Sequence, residues 1–449
     1  MRQVETIILG GGLTGLSAAL HLEGDWLLVE RESRLGGLTR TDERDGFLFD
    51  HTGHWLHLRF EHTRALVEEL LGDNLLEVER RSAIYSFGRT SPYPFQANLF
   101  GLPPEVVREC LMGLIEAKMD EAVDEARGGL RPSPANFQEY VERHFGDGIA
   151  KRFMLPYNTK LWGCKPTEIT ADWCSRFVPR PSLARVVEGA LSPPQSELGY
   201  NTRFVYPATG GIETLVRRMA ERLPEERILT GVALRELDWR HRRVTLSDGT
   251  VLGYRRIISS IPLSLLLASM RDLPAEIDIW TDRLRCTSLK YLNLGLDLPR
   301  DETRAPRLPF DGVHWLYFPE ERFPFYRIGC ASNAVASLAP PGAASCYVEL
   351  SNAHDVSEVD VLESVSRFLI DETRTLESRK QIVVAEFRRL SHGYVIFDEH
   401  YDPARAAVLP FLLQNGVCST GRFGAWVYSS MEDALDDGIR AARRDGKGE

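Results

Sequence analysis

Three glycines and one acid carry the first chemistry in this sequence. Gly10, Gly12 and Gly15 stand in the pattern G-x-G-x-x-G, and Glu30 lies 20 residues beyond Gly10. That set suits a diphosphate: the first glycine permits a tight turn, the second lets backbone approach the phosphates, and the third lets a helix pack closely on a sheet. Free N–H groups at the helix start, with Leu13 and Thr14 inside the turn, then face the anion. Glu30, with Arg31 beside it, is placed to accept the ribose hydroxyls of a dinucleotide. A glycine turn alone is a weak signal, so the flanking elements decide. Thr6 to Leu9 reads as a short buried strand, Leu16, Ala19, Leu20 and Leu22 recur at helical spacing, and Trp26 to Val29 forms a second apolar strand ending on the acid.

Further residues have types suited to a ligand site. Gly36 and Gly37, followed by Leu38, lie close enough to the first turn to cover the same diphosphate, and a glycine pair after the ribose acid resembles the amine-oxidase-like FAD superfamily. The loop His51-Thr52-Gly53-His54-Trp55 follows a strand-like Phe47 to Asp50, and a glycine beside a histidine lets backbone reach a flat ring. Ser91 to Gln96 carries two prolines and two aromatics, unsuited to a helix interior, and is either a ligand wall or a packed turn. Phe153 to Gly163 is dense in aromatics and amides. Arg176, Arg180 and Arg185 are either a phosphate clamp or a solvated salt-bridge face. Val232 sits where such folds bring backbone to the adenine. Near the C-terminus a short strand ends at Gly421-Arg422 before a helix beginning at Met431, again the geometry of a helix start aimed at an anion.

Stepping outward, the chain of 449 residues, 43% apolar and 26% charged, is long enough for two or three domains with a substantial core. The expected architecture is α/β: a Rossmann-type FAD-binding domain, a second mixed-sheet domain and a helical insert. Segments 1–90, 201–275 and 411–449 build the FAD domain, 91–200 the insert and 276–410 the substrate sheet. A net charge of −10 argues against nucleic acid as partner. There is no apolar run long enough for a membrane span, and the N-terminus enters the first strand at once, so a cytoplasmic protein is expected. The seven cysteines have no CxxC spacing and read as reduced thiols. His51, His54 and His57 lack a matching ligand set, so no metal is expected there.

Taken together, the segments GFLFDHTGHW, PYPFQANLFGLP, FMLPYNTKLWG, SRFVPRPSL, FVYPATGGI, HWLYFPEERFPFYR, RRLSHGY and GRFGAWVY resemble UDP-galactopyranose mutases, the eukaryotic type more than the bacterial. They run from residue 46 to 428, nearly the whole chain. The resemblance implies FAD, active in its reduced form, and an isomerase that interconverts pyranose and furanose forms of a UDP-hexose through an adduct at flavin N5. It further implies that His54 lies beside the flavin and that Arg422 approaches it. Tyr93, Phe95 and Gln96 would wall the uridine, and Asn158 and Trp162 would border the sugar and nucleotide. Arg176 would hold the diphosphate, Asn201 would help close the site, and Tyr317, Tyr394 and Tyr428 would give hydroxyls to diphosphate oxygens.

Two departures from that family stand out. The second diphosphate arginine, expected before WLYFP, is replaced by Pro309 and Phe310, with Arg304, Arg307 or Arg327 as substitutes. An asparagine after GRFGxWxY is replaced by Glu432, where an acid would repel a diphosphate or bind a hydroxyl or amine. The alternatives are an FAD oxidoreductase of amine-oxidase or protoporphyrinogen-oxidase type, which passes a hydride from substrate to oxidised FAD, and a protein with a structural flavin.

Overall fold

The computed structural model describes every residue except 130–131, 175–177, 179, 194–201, 299–307, 352–355 and 445–449. Ile7, Ile8 and Leu9, Leu27 to Val29, and Ile257 and Ile258 are all buried. Runs that are apolar on both faces belong in a parallel sheet covered on two sides, and these form one. Strands Ile228–Leu229, Trp26–Val29, Arg2–Leu9, Val251–Ser259 and Val417–Ser419 lie side by side and parallel. Leu9 is in register with Val29 and with Ser259, and Ser259 with Ser419, so these strands end together. Arg243–Leu246 and Leu234–Asp238 extend the sheet antiparallel beyond the first half of Val251–Ser259.

Alternate residues of the sheet go to opposite layers. Ile8 and Leu28 pack with Leu13 and Leu16 of helix Leu13–His21, Leu215 and Met219 of helix Glu213–Ala220, and Leu435 of helix Met431–Arg443. Ile7, Leu9, Leu27 and Val29 face the other way, toward a core that includes Leu263, Leu266, Val408 and Leu412. The α/β nucleotide-binding architecture expected from sequence is present.

The second sheet has seven strands, in the order Ile382–Leu390, Leu289–Asp297, Ala343–Ser351, Arg327–Cys330, Trp315–Tyr317, Ser82–Ser86 and Arg89–Pro92. Every pairing is antiparallel except that of Trp315–Tyr317 with Ser82–Ser86. Its first residues therefore precede position 91: Ser82 to Pro92 pair across with the far strands instead of staying with the nucleotide sheet. The period of two along each strand sorts the side chains. Leu292, Leu294, Leu316, Ile328, Val348 and Leu350 pack with Val361, Val365 and Phe368 of the helical stretch behind the sheet. Trp315, Tyr317, Arg327, Tyr347 and Glu349 point to the opposite face.

The segment between residues 91 and 200 contributes helices Pro104–Ala126, Phe137–Ile149, Leu155–Trp162 and Leu183–Leu191. Behind the second sheet, helix Glu358–Arg367 runs into a π turn at Phe368–Glu372. Among the described residues no helix is long and apolar enough to cross a membrane.

Candidate functional site

A cavity of about 1110 Å³ opens where the parallel strands end and runs beneath the second sheet. Ordinary small-ligand clefts measure roughly 300–1,000 Å³, so this one has room for a dinucleotide and more. On the first-sheet side it is lined by Gly10, Gly12, Leu13, Thr14, Glu30, Arg31, Gly36, Gly37, Leu38, Val232 and Met431. Glu30 is fixed before any ligand arrives: one carboxylate oxygen accepts from Gly11 N–H at 2.7 Å and the other from Glu32 N–H at 2.9 Å. Gly36 N–H donates to Gly11 carbonyl at 2.8 Å, which sets the second glycine pair directly against the first turn. Gly15 does not line the cavity. A Cβ there would stand 1.9 Å from Gly10 carbonyl oxygen, so its role is the close approach of helix to turn. Gly421 likewise abuts Thr14, at 2.5 Å from its hydroxyl to a built Cβ.

His54 lines the same cavity, and its Nδ1 is enclosed with no hydrogen-bond partner among the described residues. Burial pushes its pKa down to about 3, with His51, Arg422 and Arg327 acting in the same direction, so the ring is neutral. The neighbouring histidines serve other partners: His51 faces Asp42 at 3.2 Å and His57 Nδ1 faces Arg203 carbonyl at 2.9 Å. The glycine cradle, the pinned acid and an imidazole whose Nδ1 is open, on one elongated cavity, fit FAD. Glu30 would take the ribose, the two glycine turns the diphosphate, and the His54 loop would face the ring system.

The second-sheet side supplies the functional groups over that floor. Arg327 forms a forked pair with the fully buried Glu349, Nε to one oxygen at 2.9 Å and Nη2 to the other at 2.7 Å. Burial is the largest single influence and opposes its charge, but Glu349 with Tyr394, Tyr347 and Tyr326 together hold the guanidinium pKa well above its usual value. Nη1 has no partner among the described residues. Tyr317 accepts from Trp315 Nε1 at 2.7 Å. Tyr394 stacks on Tyr428 with ring centres 5.8 Å apart, and Arg422 lies 5.4 Å from one ring and 5.1 Å from the other. Two nitrogens of Arg422 are spent on Ser429 and Gly393 carbonyls, at 2.6 and 3.0 Å. It lies on the cavity wall against both tyrosine rings. Burial pushes Tyr394 up to about 12, so it keeps its proton.

Other expected residues stand further back. Tyr93 packs its ring 5.1 Å from Tyr317. Phe95 has no exposed surface and stacks on Phe153, and Gln96 is buried beside it, so neither lines the cavity. Trp162 is buried, donates to Asn158 at 3.2 Å and sets its ring 5.8 Å from Tyr394. These side chains back the wall that sequence placed them on. Arg176 and Asn201 lie outside the described residues, as do Arg304 and Arg307. Arg180 donates to Tyr140 hydroxyl at 2.8 Å and Arg185 reaches Glu188 at 3.9 Å, and neither lines the cavity.

Glu432 corrects a second expectation. Its carboxylate is completely buried and accepts from Arg59 and Phe60 backbone N–H groups, Thr63 hydroxyl and Arg59 Nε, at 2.5 to 2.9 Å. It satisfies the open first turn of helix Glu61–Leu71 and does not meet a ligand. Phe310, at the place of the missing arginine, packs on Phe368. Sequence reading missed Glu349, Trp315 and Arg80, the last two lining the cavity. The one signal for Glu349 was an acid between Val348 and Leu350 in an otherwise apolar strand.

The family description "Flavin containing amine oxidoreductase" matches residues 13–444. Coproporphyrinogen III oxidase of Bacillus subtilis (strain 168) is 19% identical over 381 residues, 80% of this chain and 79% of that one. Coproporphyrinogen III oxidase of Propionibacterium freudenreichii subsp. freudenreichii is 27% identical over 180 residues, 37% of this chain, and the match spans 33% of that relative's length. Among solved structures, reduced UDP-galactopyranose mutase superposes with a TM-score of 0.88 at 26% identity, covering 98% of this chain and 95% of that one. Cyclohexylamine oxidase from Brevibacterium oxydans IH-35A gives 0.65 at 16% identity over 98% of both chains, a likeness of fold alone. With its nucleotide turn, its covered parallel sheet and a family match over nearly its whole length, the chain belongs to the flavin-containing amine oxidoreductase family.

Proposed function

We propose that this protein is a flavin-dependent sugar-nucleotide mutase that interconverts the pyranose and furanose forms of a UDP-hexose. The observation that carries the reading is the charge on the cavity wall. Arg31, Arg40, Arg59, Arg80, Arg327, Arg389 and Arg422 line it against Glu30, Glu32 and Asp433, and even with the enclosed partners of Arg327 and Arg59, Glu349 and Glu432, counted in, arginines outnumber acids. Such a wall draws a diphosphate and repels the protonated amine that an amine oxidase would admit. The likeness in fold to reduced UDP-galactopyranose mutase supports the same assignment.

Reduced FAD, when bound, would supply the nucleophile for the anomeric carbon, making the catalysis covalent with the cofactor as partner. This chain's residues do the rest. Arg327, held by Glu349, meets the diphosphate and neutralises charge on the departing nucleotide. Tyr317, Tyr394 and Tyr428 give hydroxyls to its oxygens. His54, kept neutral, borders the ring system without adding charge. The enclosing aromatics Trp55 and Trp315 exclude water from the reacting carbon.

The expected result is conversion of UDP-galactofuranose to UDP-galactopyranose by dithionite-reduced enzyme, followed by chromatography, with no peroxide released. A second reading, a redox enzyme of amine-oxidase or protoporphyrinogen-oxidase type, is favoured by the oxidases among the matched relatives. Equal conversion by oxidised and reduced enzyme, or substrate bleaching of oxidised flavin without air, would sink the mutase assignment.

A further inference from the structure

Lys160 sits on helix Leu155–Trp162 with its side chain buried, and among the described residues its ammonium bonds to backbone carbonyls and to no carboxylate. Its Nζ donates to three backbone carbonyls, those of Glu320 at 2.8 Å, Phe323 at 3.0 Å and Phe325 at 3.0 Å. An ammonium has three donors and no acceptor, so all its capacity goes into one stretch of chain. That stretch is the connection from strand Trp315–Tyr317 to strand Arg327–Cys330. One leg carries Tyr317 and the other Arg327, two of the second-sheet side chains that line the cavity.

Resting on the nucleotide-sugar reading above, we propose that Lys160 is a positioning residue that sets the cavity's affinity for an anionic diphosphate by locking the hairpin of Tyr317 and Arg327. Three observations support it. The hairpin closes on itself through Phe318 N–H to Tyr326 carbonyl at 2.9 Å, while its tip carbonyls turn inward and find Lys160. Outside, the tip is tied by Arg322, which pairs with Glu320 at 3.3 Å and with Glu372 at 2.7 Å, and Glu372 also accepts from Tyr85 at 2.7 Å. The tip is thus gripped from both sides: Phe318, Phe323 and Phe325 pack into the core, and the tip carbonyls of Glu320, Phe323 and Phe325 are met by one side chain. The same helix carries Asn158 and Trp162, which back Tyr394 across the cavity, so Lys160 ties the two walls to one rigid element. Burial pulls the Lys160 pKa down to about 7, Glu320 and Glu321 act the other way, and the carbonyls favour the charged form.

The test compares FAD-loaded wild type with Lys160→Met and Lys160→Arg, titrated with UDP and, separately, with inorganic pyrophosphate, alongside flavin content and thermal melting. Lys160→Met is expected to weaken UDP about tenfold or more, since a misplaced charged hydrogen bond costs at least that, with flavin content and absorbance unchanged. Lys160→Arg is expected to restore little, because a planar fork does not match three converging carbonyls. Should the Met variant not fold, Lys160→Gln carries the same expectation. UDP affinity within twofold of wild type, or UDP and flavin lost in proportion to melting temperature, overturns the proposal. Wild type that binds pyrophosphate but not UDP overturns the nucleotide-sugar reading alone, and the variants are then compared on pyrophosphate. Wild type that binds neither overturns both.

Discussion

Glu30 spends one lone pair of each carboxylate oxygen on backbone N–H groups, which orients the others toward a ribose. Glu30→Gln keeps the shape, turns one acceptor into a donor facing a backbone N–H, and removes the charge. We expect flavin to bind more weakly by roughly 1.5–3 kcal/mol, the worth of a hydrogen bond to a charged group, measured by flavin titration of the apoprotein. Arg327 gives a sharper case because its partner is buried. Arg327→Ala leaves Glu349 uncompensated and is expected to cost about 3–5 kcal/mol of stability. Adding Glu349→Gln should recover much of that in denaturant titrations without recovering UDP binding, which separates the two roles of the arginine. These residues were unequally legible. Glu30 follows its glycines at a spacing that local strand and helix lengths dictate. Glu349 meets Arg327 only by strand pairing, and Lys160 meets the tip of the hairpin across 160 residues of chain. No local pattern announces such partners. Glu432 was misread for that reason: its partners, Arg59 and Thr63, lie on a distant loop and helix start.

At the scale of elements, the helix pair Leu13–His21 and Met431–Arg443 frames the diphosphate turn, and Gly438 is where they touch. A Cβ at 438 would stand 2.4 Å from Thr14 carbonyl oxygen and 2.7 Å from Ser17 Cβ. Gly438→Ala is therefore expected to cost about 1–3 kcal/mol as overpacking and, by displacing Thr14, to weaken flavin as well. A melting curve and a flavin titration check both parts; lost stability with flavin affinity intact would mean that the turn does not feel the helix. The first helix and both its strands were readable from apolar spacing, as was the C-terminal strand-to-helix turn. Hidden from sequence were the strand order of the second sheet and the recruitment of Ser82–Pro92 into it. These are fixed by long-range pairing, to which periodicity is blind.

Across the whole molecule, buried histidines set the response to acid. Burial holds His54 at about 3 and His144 and His314 at about 4, below the usual 6.5. As pH falls below that value, the unfolded chain takes up protons that the folded one refuses, so stability declines until the folded rings also ionise near pH 3 to 4. Asp50, raised by burial to about 7, works in the opposite sense: it keeps a proton when folded, and its contribution is lost as pH rises from 3.8 toward 7. Three histidines outweigh one aspartate, so melting temperature should climb from about pH 4.5 to 6.5. Replacing His54, His144 and His314 by Gln should flatten that slope; an unchanged slope would place the titration elsewhere. The sheet itself adds a constraint in time. Strand Val251–Ser259 has its second half bordered by Val417–Ser419, and the turn that meets Thr14 follows at Gly421. A ribosome makes the glycine turn first and its neighbour some 400 residues later (Thr14 to Gly421). Nascent chains can shape the first strands early, but the glycine turn gains its C-terminal neighbour only once synthesis has passed Gly421, so the complete site is among the last parts of the fold to assemble.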